Sequence, residues 1–149
     1  MPEATHPATY DNQNIFAKIL RGDLPCIKVY EDEHTLAFMD IMPQADGHVL
    51  VLPKEGAAEL FDLSDEAASA AIRTTRKLAR AVRAAFTPPG VAIFQLNGSA
   101  AGQTVPHVHF HVLPRYSDTP LQPHARVQAD TDKLKAHAEK IIAALQADQ

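Results

Sequence analysis

Residues 107–113, HVHFHVL, carry a histidine at every second position, with an apolar residue after each. A period of two is the repeat of an extended strand, whose successive side chains leave opposite faces. Val108, Phe110 and Val112 are therefore expected on the core, and His107, His109 and His111 together on the other face. The chain has to fold around a sheet with one buried face and a row of imidazoles on the other.

The remaining segments provide such a sheet. Residues 1–13, with two prolines and several small polar side chains, read as a loose arm. Asn14 can cap a short helix that runs to about Gly22, with Ile15, Phe16, Ile19 and Leu20 on its apolar face and Pro25 beyond its end. Three strand-like runs follow at Cys26–Glu31, Thr35–Met39 and Gly47–Pro53. The polar turn at Asp32–His34 and the loop Pro43–Gly47 separate them, which predicts an antiparallel meander.

Ser64, followed by Asp65 and Glu66, starts a long helix that ends near Phe86, before Pro88-Pro89-Gly90. Its period places Ala68, Ile72, Thr75, Leu78 or Ala79, Val82 and Phe86 toward the core. Arg73, Arg76, Lys77, Arg80 and Arg83 fall opposite; with no aromatic residues among them they read as a solvated face. Strands at Val91–Leu96 and Val105–Leu113 flank the loop NGSAAGQTVP. Residues 116–129 read as irregular, and a last helix over Thr131–Leu145 carries Leu134, Ala138, Ile141 and Leu145 on one face. There is no βαβ alternation. The fold class is α+β: a five-stranded, mainly antiparallel sheet with a short N-terminal helix, a long central helix and a C-terminal helix.

Composition narrows the function. A chain of 149 residues with 46% hydrophobic and 21% charged residues and a net charge of −4 is a single soluble domain without the basic excess of a general nucleic-acid binder. No apolar run approaches the ~20 residues of a membrane span, and the N-terminus has neither a basic nor an apolar leader region, so a cytoplasmic protein is expected. The single cysteine, Cys26, allows no internal disulfide and no CxxC site, and reads as a buried strand residue.

Three readings of the histidines remain. A merely solvated strand face is one, although three of the chain's eight histidines within five residues argue against chance. A metal site is the second, but His107 and His111 would lie about 13 Å apart along a strand, too far for one ion to bind both. The third is nucleophilic and acid–base catalysis, since a neutral imidazole can attack phosphorus and a neighbouring one can hand over a proton. The loop before the run favours it. Its small residues let backbone N–H groups approach an anion, and Asn97, Gln103 and Thr104 add side-chain donors.

GQTVPHVHFHVLPR also resembles the HφHφHφφ signature (φ apolar) of the histidine-triad, or HIT, superfamily, and IFAKILRGDLPCIKVYEDEHTLAFMDIMPQADGHVLVLPK resembles the N-terminal half of that family. The likeness covers residues 14–115, with 116–149 as a C-terminal extension whose helix packs on the domain. The front half is closer to the Hint branch of nucleotide phosphoramidases, and HVLPR is closer to the Fhit branch, which cleaves dinucleoside polyphosphates.

The resemblance implies that His109 attacks the α-phosphorus to form a nucleotidyl-histidine, which water then hydrolyses. His107 would orient the nucleophile, and His111 would contact the phosphate or leaving group. His48 matches a fourth histidine near the triad, and Asp40 an acid that holds ribose hydroxyls. Ile15, Phe16, Ile19, Phe38 and Ile41 would line a purine pocket, and Asn97, Gln103 and Thr104 would contact phosphate. Relatives that hold structural zinc use a CxxC pair where this chain has Asn14 and Ala17, so neither metal nor cofactor is expected. The resemblance further implies a homodimer whose two sheets join into ten strands. The alternatives are a dinucleoside polyphosphate hydrolase and a nucleotide-binding module without catalysis.

Overall fold

The computed structural model describes residues 10–118, 120 and 127–148. Its elements in chain order are α1 (Ile15–Leu20), β1 (Lys28–Glu31), β2 (Thr35–Met39), β3 (Val49–Pro53), α2 (Asp65–Phe86), β4 (Gly90–Gln95), β5 (Phe110–Arg115) and α3 (Thr131–Ala147). The strands form one antiparallel sheet in the order β1-β2-β3-β5-β4.

The starts of α1 and α2 follow from capping. The Asn14 side chain accepts from the Ala17 N–H at 2.9 Å, and the Ser64 hydroxyl accepts from the Ala67 N–H at 3.1 Å. Each satisfies a donor that the first helical turn leaves without an intrahelical partner. α2 stops at Thr87, which takes a left-handed conformation at φ 44, with Pro88 and Pro89 beyond.

The sheet separates two apolar layers. Val29, Ala37, Met39, Val49, Val51, Phe110 and Val112 face α2 and α3. Leu36, Phe38, Leu50 and Leu52 face the other way, against Phe16 of α1. Because both faces are covered, every residue of β2 and β3 is buried. Each large apolar side chain taken out of water there contributes about 1.5–3 kcal/mol. β5 and the residue before it join the layers differently, with Phe110 and Val112 toward α2 and the imidazoles of His109 and His111 on the α1 side.

Several expectations change. The predicted strand Val105–Leu113 begins only at Phe110, so His107, Val108 and His109 precede the ladder. Pro106 has no N–H to offer a neighbour. The His107 N–H instead closes a tight turn on the Val105 carbonyl at 2.9 Å, and the Val108 N–H reaches the Ala57 carbonyl at 2.9 Å. On α2 the core stripe is Ala67, Ala70, Ala71, Thr74, Thr75, Leu78, Ala81 and Val82; Ala68 is half-buried and Ile72 is 53% exposed. Alanines on every side blur the period, and small residues on the stripe bring α2 so near the sheet that the Thr74 and Thr35 hydroxyls bond at 2.8 Å. The expected arm is tied down at its end, where Tyr10 bonds His107. Its residues 1–9 lie outside the described residues, as do His124 and Arg126 of the extension.

The loop between β2 and β3 carries part of the site, and the chain after β5 braces it. The Ala129 N–H donates to the Ile41 carbonyl at 2.9 Å, Lys133 pairs with Asp46 at 3.1 Å, and the Tyr116 hydroxyl donates to the Asp46 carbonyl at 3.1 Å. Gly47 has φ +90, and a Cβ there would sit 2.9 Å from the Phe86 ring. Only glycine suits that backbone and that contact.

Candidate active site

A cavity of about 430 Å³ opens on the α1 side of the sheet, within the size range of small-molecule sites. Ile15, Phe16 and Ile19 of α1, Phe38 of β2, Asp40 and Ile41 of the following loop, Thr104, His109 and His111 all line it. The structure thus brings together the five apolar residues expected around a base, the acid, one hydroxyl and two of the three triad histidines. His107, His48, Asn97 and Gln103 do not line it.

Hydrogen bonding assigns the protons of the imidazoles. His109 Nδ1 lies 2.7 Å from the carbonyl of His107, which can only accept, so the ring proton is on Nδ1. The lone pair of Nε2 is left for chemistry. Phe16 meets this ring edge-on, with centroids 4.9 Å apart, and holds its plane.

A second chain of bonds ends on His111. The Gln44 backbone N–H donates to His48 Nδ1 at 3.2 Å, which places the proton of neutral His48 on Nε2. That nitrogen is 3.0 Å from His111 Nδ1 and donates to it. The proton of His111 is therefore on Nε2. A nucleophilic nitrogen and an N–H donor stand on adjacent rings with centroids 5.0 Å apart.

Burial keeps these rings neutral. It is the largest cause in each case: His48 and His107 are pushed down to about 4, His111 to about 3, and His109 below its ordinary value. A charge on His109 would further disfavour protonation of the other three. Asp40 is pushed up to about 6 by burial, against the opposing bond from the Met42 N–H. Its Oδ2 lies 3.6 Å from His48 Nε2, a contact that is an ion pair only when His48 is charged.

Asp40, His48 and His111 also place one ligand atom each within 4.8 Å of one another, as a divalent ion would require. The donor set fits poorly as it stands, because His48 Nε2 and His111 Nδ1 share a proton that an ion would have to displace. Gln44 holds His48 in that tautomer.

Two of the three loop residues expected at phosphate, Asn97 and Gln103, are occupied elsewhere. Gln103 accepts from the Gly98 N–H at 2.7 Å and donates to the carbonyls of Ala58 and Val105 at 2.7 and 2.9 Å. Asn97 exchanges bonds with Gln95 and accepts from the Leu60 N–H. Both amides shape the loop, while Thr104 reaches the cavity.

Two side chains escaped sequence reasoning. Phe94 of β4 stacks on His111 at 4.3 Å and 12°. Period two places Phe94 and Leu96 on one face of the expected strand Val91–Leu96, a usable signal, but the register that sets Phe94 opposite His111 belongs to the tertiary structure. Tyr10 bonds His107 from a segment with no periodicity at all.

The start of β5 thus brings two adjacent imidazoles, His109 and His111, to one apolar cavity. The family model of the HIT domain matches residues 21–118. The chain belongs to the HIT family. It is 44% identical over 101 residues to an adenosine 5'-monophosphoramidase of Schizosaccharomyces pombe, covering 68% of this chain and 73% of that one. It is 35% identical over 147 residues to an adenosine 5'-monophosphoramidase of Saccharomyces cerevisiae, covering 94% and 87%. Among solved structures, a Hit-like protein involved in cell-cycle regulation from Bartonella henselae superposes with a TM-score of 0.85 at 45% identity, covering 91% of this chain and 99% of that chain.

Proposed function

We propose that this chain hydrolyses nucleoside 5'-monophosphate derivatives at the α-phosphorus, with an amine as leaving group and a purine as base. One observation carries the reading: the His109 Nδ1–H is bonded to a backbone carbonyl, which leaves a neutral Nε2 lone pair beside an apolar cavity. The names of two relatives, both adenosine 5'-monophosphoramidases, support the same chemistry.

In this reading His109 Nε2 attacks phosphorus, a P–N(His) bond forms and the P–N bond to the amine breaks. The His111 Nε2–H donates to a phosphoryl oxygen as charge develops there, with His48 behind it to hold that tautomer, and the amine leaves neutral because its nitrogen takes up a proton from solvent before the P–N bond breaks. The nucleotidyl-imidazolium keeps its Nδ1–H on the His107 carbonyl, which stabilises the positive ring. Water then attacks phosphorus, the P–N(His) bond breaks to return His109 to its neutral Nδ1–H form, and the nucleoside monophosphate leaves as the proton of water passes to solvent. The base lies among Ile15, Phe16, Ile19, Phe38 and Ile41, Asp40 holds the ribose hydroxyls, and Thr104 donates to phosphate. Asn97 and Gln103 hold the loop that presents it.

The test is kcat/KM for adenosine 5'-phosphoramidate measured against a diadenosine polyphosphate. Faster phosphoramidate turnover is expected. Preference for the dinucleotide would replace this reading with polyphosphate cleavage, and turnover of neither would favour a binding role.

The chain is further proposed to work as a homodimer through the free edge of β4. Ile93 is 48% exposed there and Ile72 of α2 is 53% exposed, and both line one shallow groove with Thr75 and Ala79. An unpaired edge beside exposed aliphatic side chains suits a two-fold pairing of β4 with its copy. Light scattering is expected to report two chains, and Ile93→Glu to shift the protein to monomer.

A further inference from the structure

Tyr10 lies five residues before the start of α1, and its ring packs edge-on against His107 with centroids 5.6 Å apart. Its hydroxyl is 2.5 Å from His107 Nδ1 and accepts from Asn14 Nδ2 at 2.8 Å. The other end of the same imidazole, Nε2, is 2.8 Å from the Pro53 carbonyl. A carbonyl only accepts, so His107 carries its proton on Nε2, and Nδ1 accepts from the tyrosine. One directional chain results, from Asn14 through Tyr10 and His107 to Pro53.

Every polar atom of residue 107 is thereby committed. Its ring is held at both nitrogens, its N–H by Val105, and its carbonyl receives the Nδ1–H of His109. The segment beside it is shaped for the tyrosine. A Cβ on Gly56 would sit 3.0 Å from Tyr10 Cε2, and the next residue, Ala57, accepts the Val108 N–H.

We propose that Tyr10 is a positioning residue for the nucleophile: its hydroxyl locks His107 in the Nε2–H form, and the fixed His107 carbonyl in turn locks His109 with its Nε2 lone pair toward substrate. The catalytic weight of this lock rests on the function proposed above. Its structural content does not. Losing the hydroxyl frees His107 Nδ1, so that the ring can invert its tautomer and turn away from Pro53. Residue 107 then no longer offers a fixed acceptor to His109.

The test is Tyr10→Phe, which keeps the ring. Helix α1 should survive the change, because the Asn14 side chain still caps the Ala17 N–H and still donates to the Asp11 carbonyl at 2.7 Å. Imidazole ¹⁵N NMR of the wild type is expected to show His107 as Nε2–H and His109 as Nδ1–H. In the variant both should become mixtures, with kcat on adenosine 5'-phosphoramidate down about tenfold and the Kd for adenosine monophosphate within about twofold. Gly56→Ala, which must displace the Tyr10 ring by a few tenths of an ångström, should move both readouts the same way and less far.

The proposal is overturned if His109 stays purely Nδ1–H in Tyr10→Phe, whatever happens to the rate. A tautomer change without any loss of kcat also overturns it. If the wild type fails to turn over the phosphoramidate, the proposed function fails, and the NMR readout still decides the role of Tyr10.

Discussion

His109→Ala is expected to lose phosphoramidate turnover by about 10³-fold or more while binding adenosine monophosphate nearly as well as the wild type. The asymmetry follows from the geometry. The ring supplies the attacking nitrogen, yet it is one of many residues around the cavity, and the apolar wall of Ile15, Phe16, Ile19 and Phe38 stays in place. A general collapse of the site would weaken product binding together with turnover. Steady-state kinetics paired with calorimetry of product binding separates the two cases. A rate near that of the wild type would assign the nucleophile elsewhere.

Acidification is expected to destabilise the fold well before ordinary carboxylates titrate. His48 and His107 are held at about 4 and His111 at about 3, chiefly by burial, against 6.5 in the unfolded chain. Between those values the unfolded state binds protons that the folded state refuses, so stability falls as pH drops through about 6.5 toward 4. Asp40 works in the opposite direction. Its folded value of about 6 against 3.8 unfolded means that the folded state takes up the proton first, which recovers stability over the same range. Three groups outweigh one, at about 1–2 kcal/mol per histidine near pH 5. A net loss of about 2–5 kcal/mol should lower Tm by on the order of 10 °C between pH 7.5 and pH 5. Thermal unfolding at the two values checks it, and an unchanged or higher Tm at pH 5 would contradict the neutral, buried state of the imidazoles.

Much of this site is legible in the sequence because its chemistry sits on local patterns. Alternation in HVHFHVL separates Val108, Phe110 and Val112 in the core from His109 and His111 at the cavity, although only Phe110 onward belongs to the ladder. The caps at Asn14 and Ser64 are local signals, and both helices begin there. All five apolar residues expected around a base share one cavity.

The failures have a common cause in partners that only tertiary structure supplies. A polar loop residue such as Gln103 looks the same whether its amide serves a ligand or its own loop, and here it serves the loop. Phe94 needed the β4–β5 register. Ile72 fits a helical period but sits on the side of α2 next to Ile93, beyond the reach of the sheet core. Tyr10 meets His107 across 97 positions of sequence, from a segment whose composition suggests no structure.

The central claim is a double displacement at phosphorus through His109. Its most direct test is the stereochemical course of hydrolysis for an adenosine 5'-phosphoramidate analogue made chiral at the α-phosphorus and cleaved in isotopically labelled water. Each in-line displacement inverts the centre, so attack by His109 followed by attack of water predicts net retention. Net inversion would mean that water attacks phosphorus directly, and it would contradict the account.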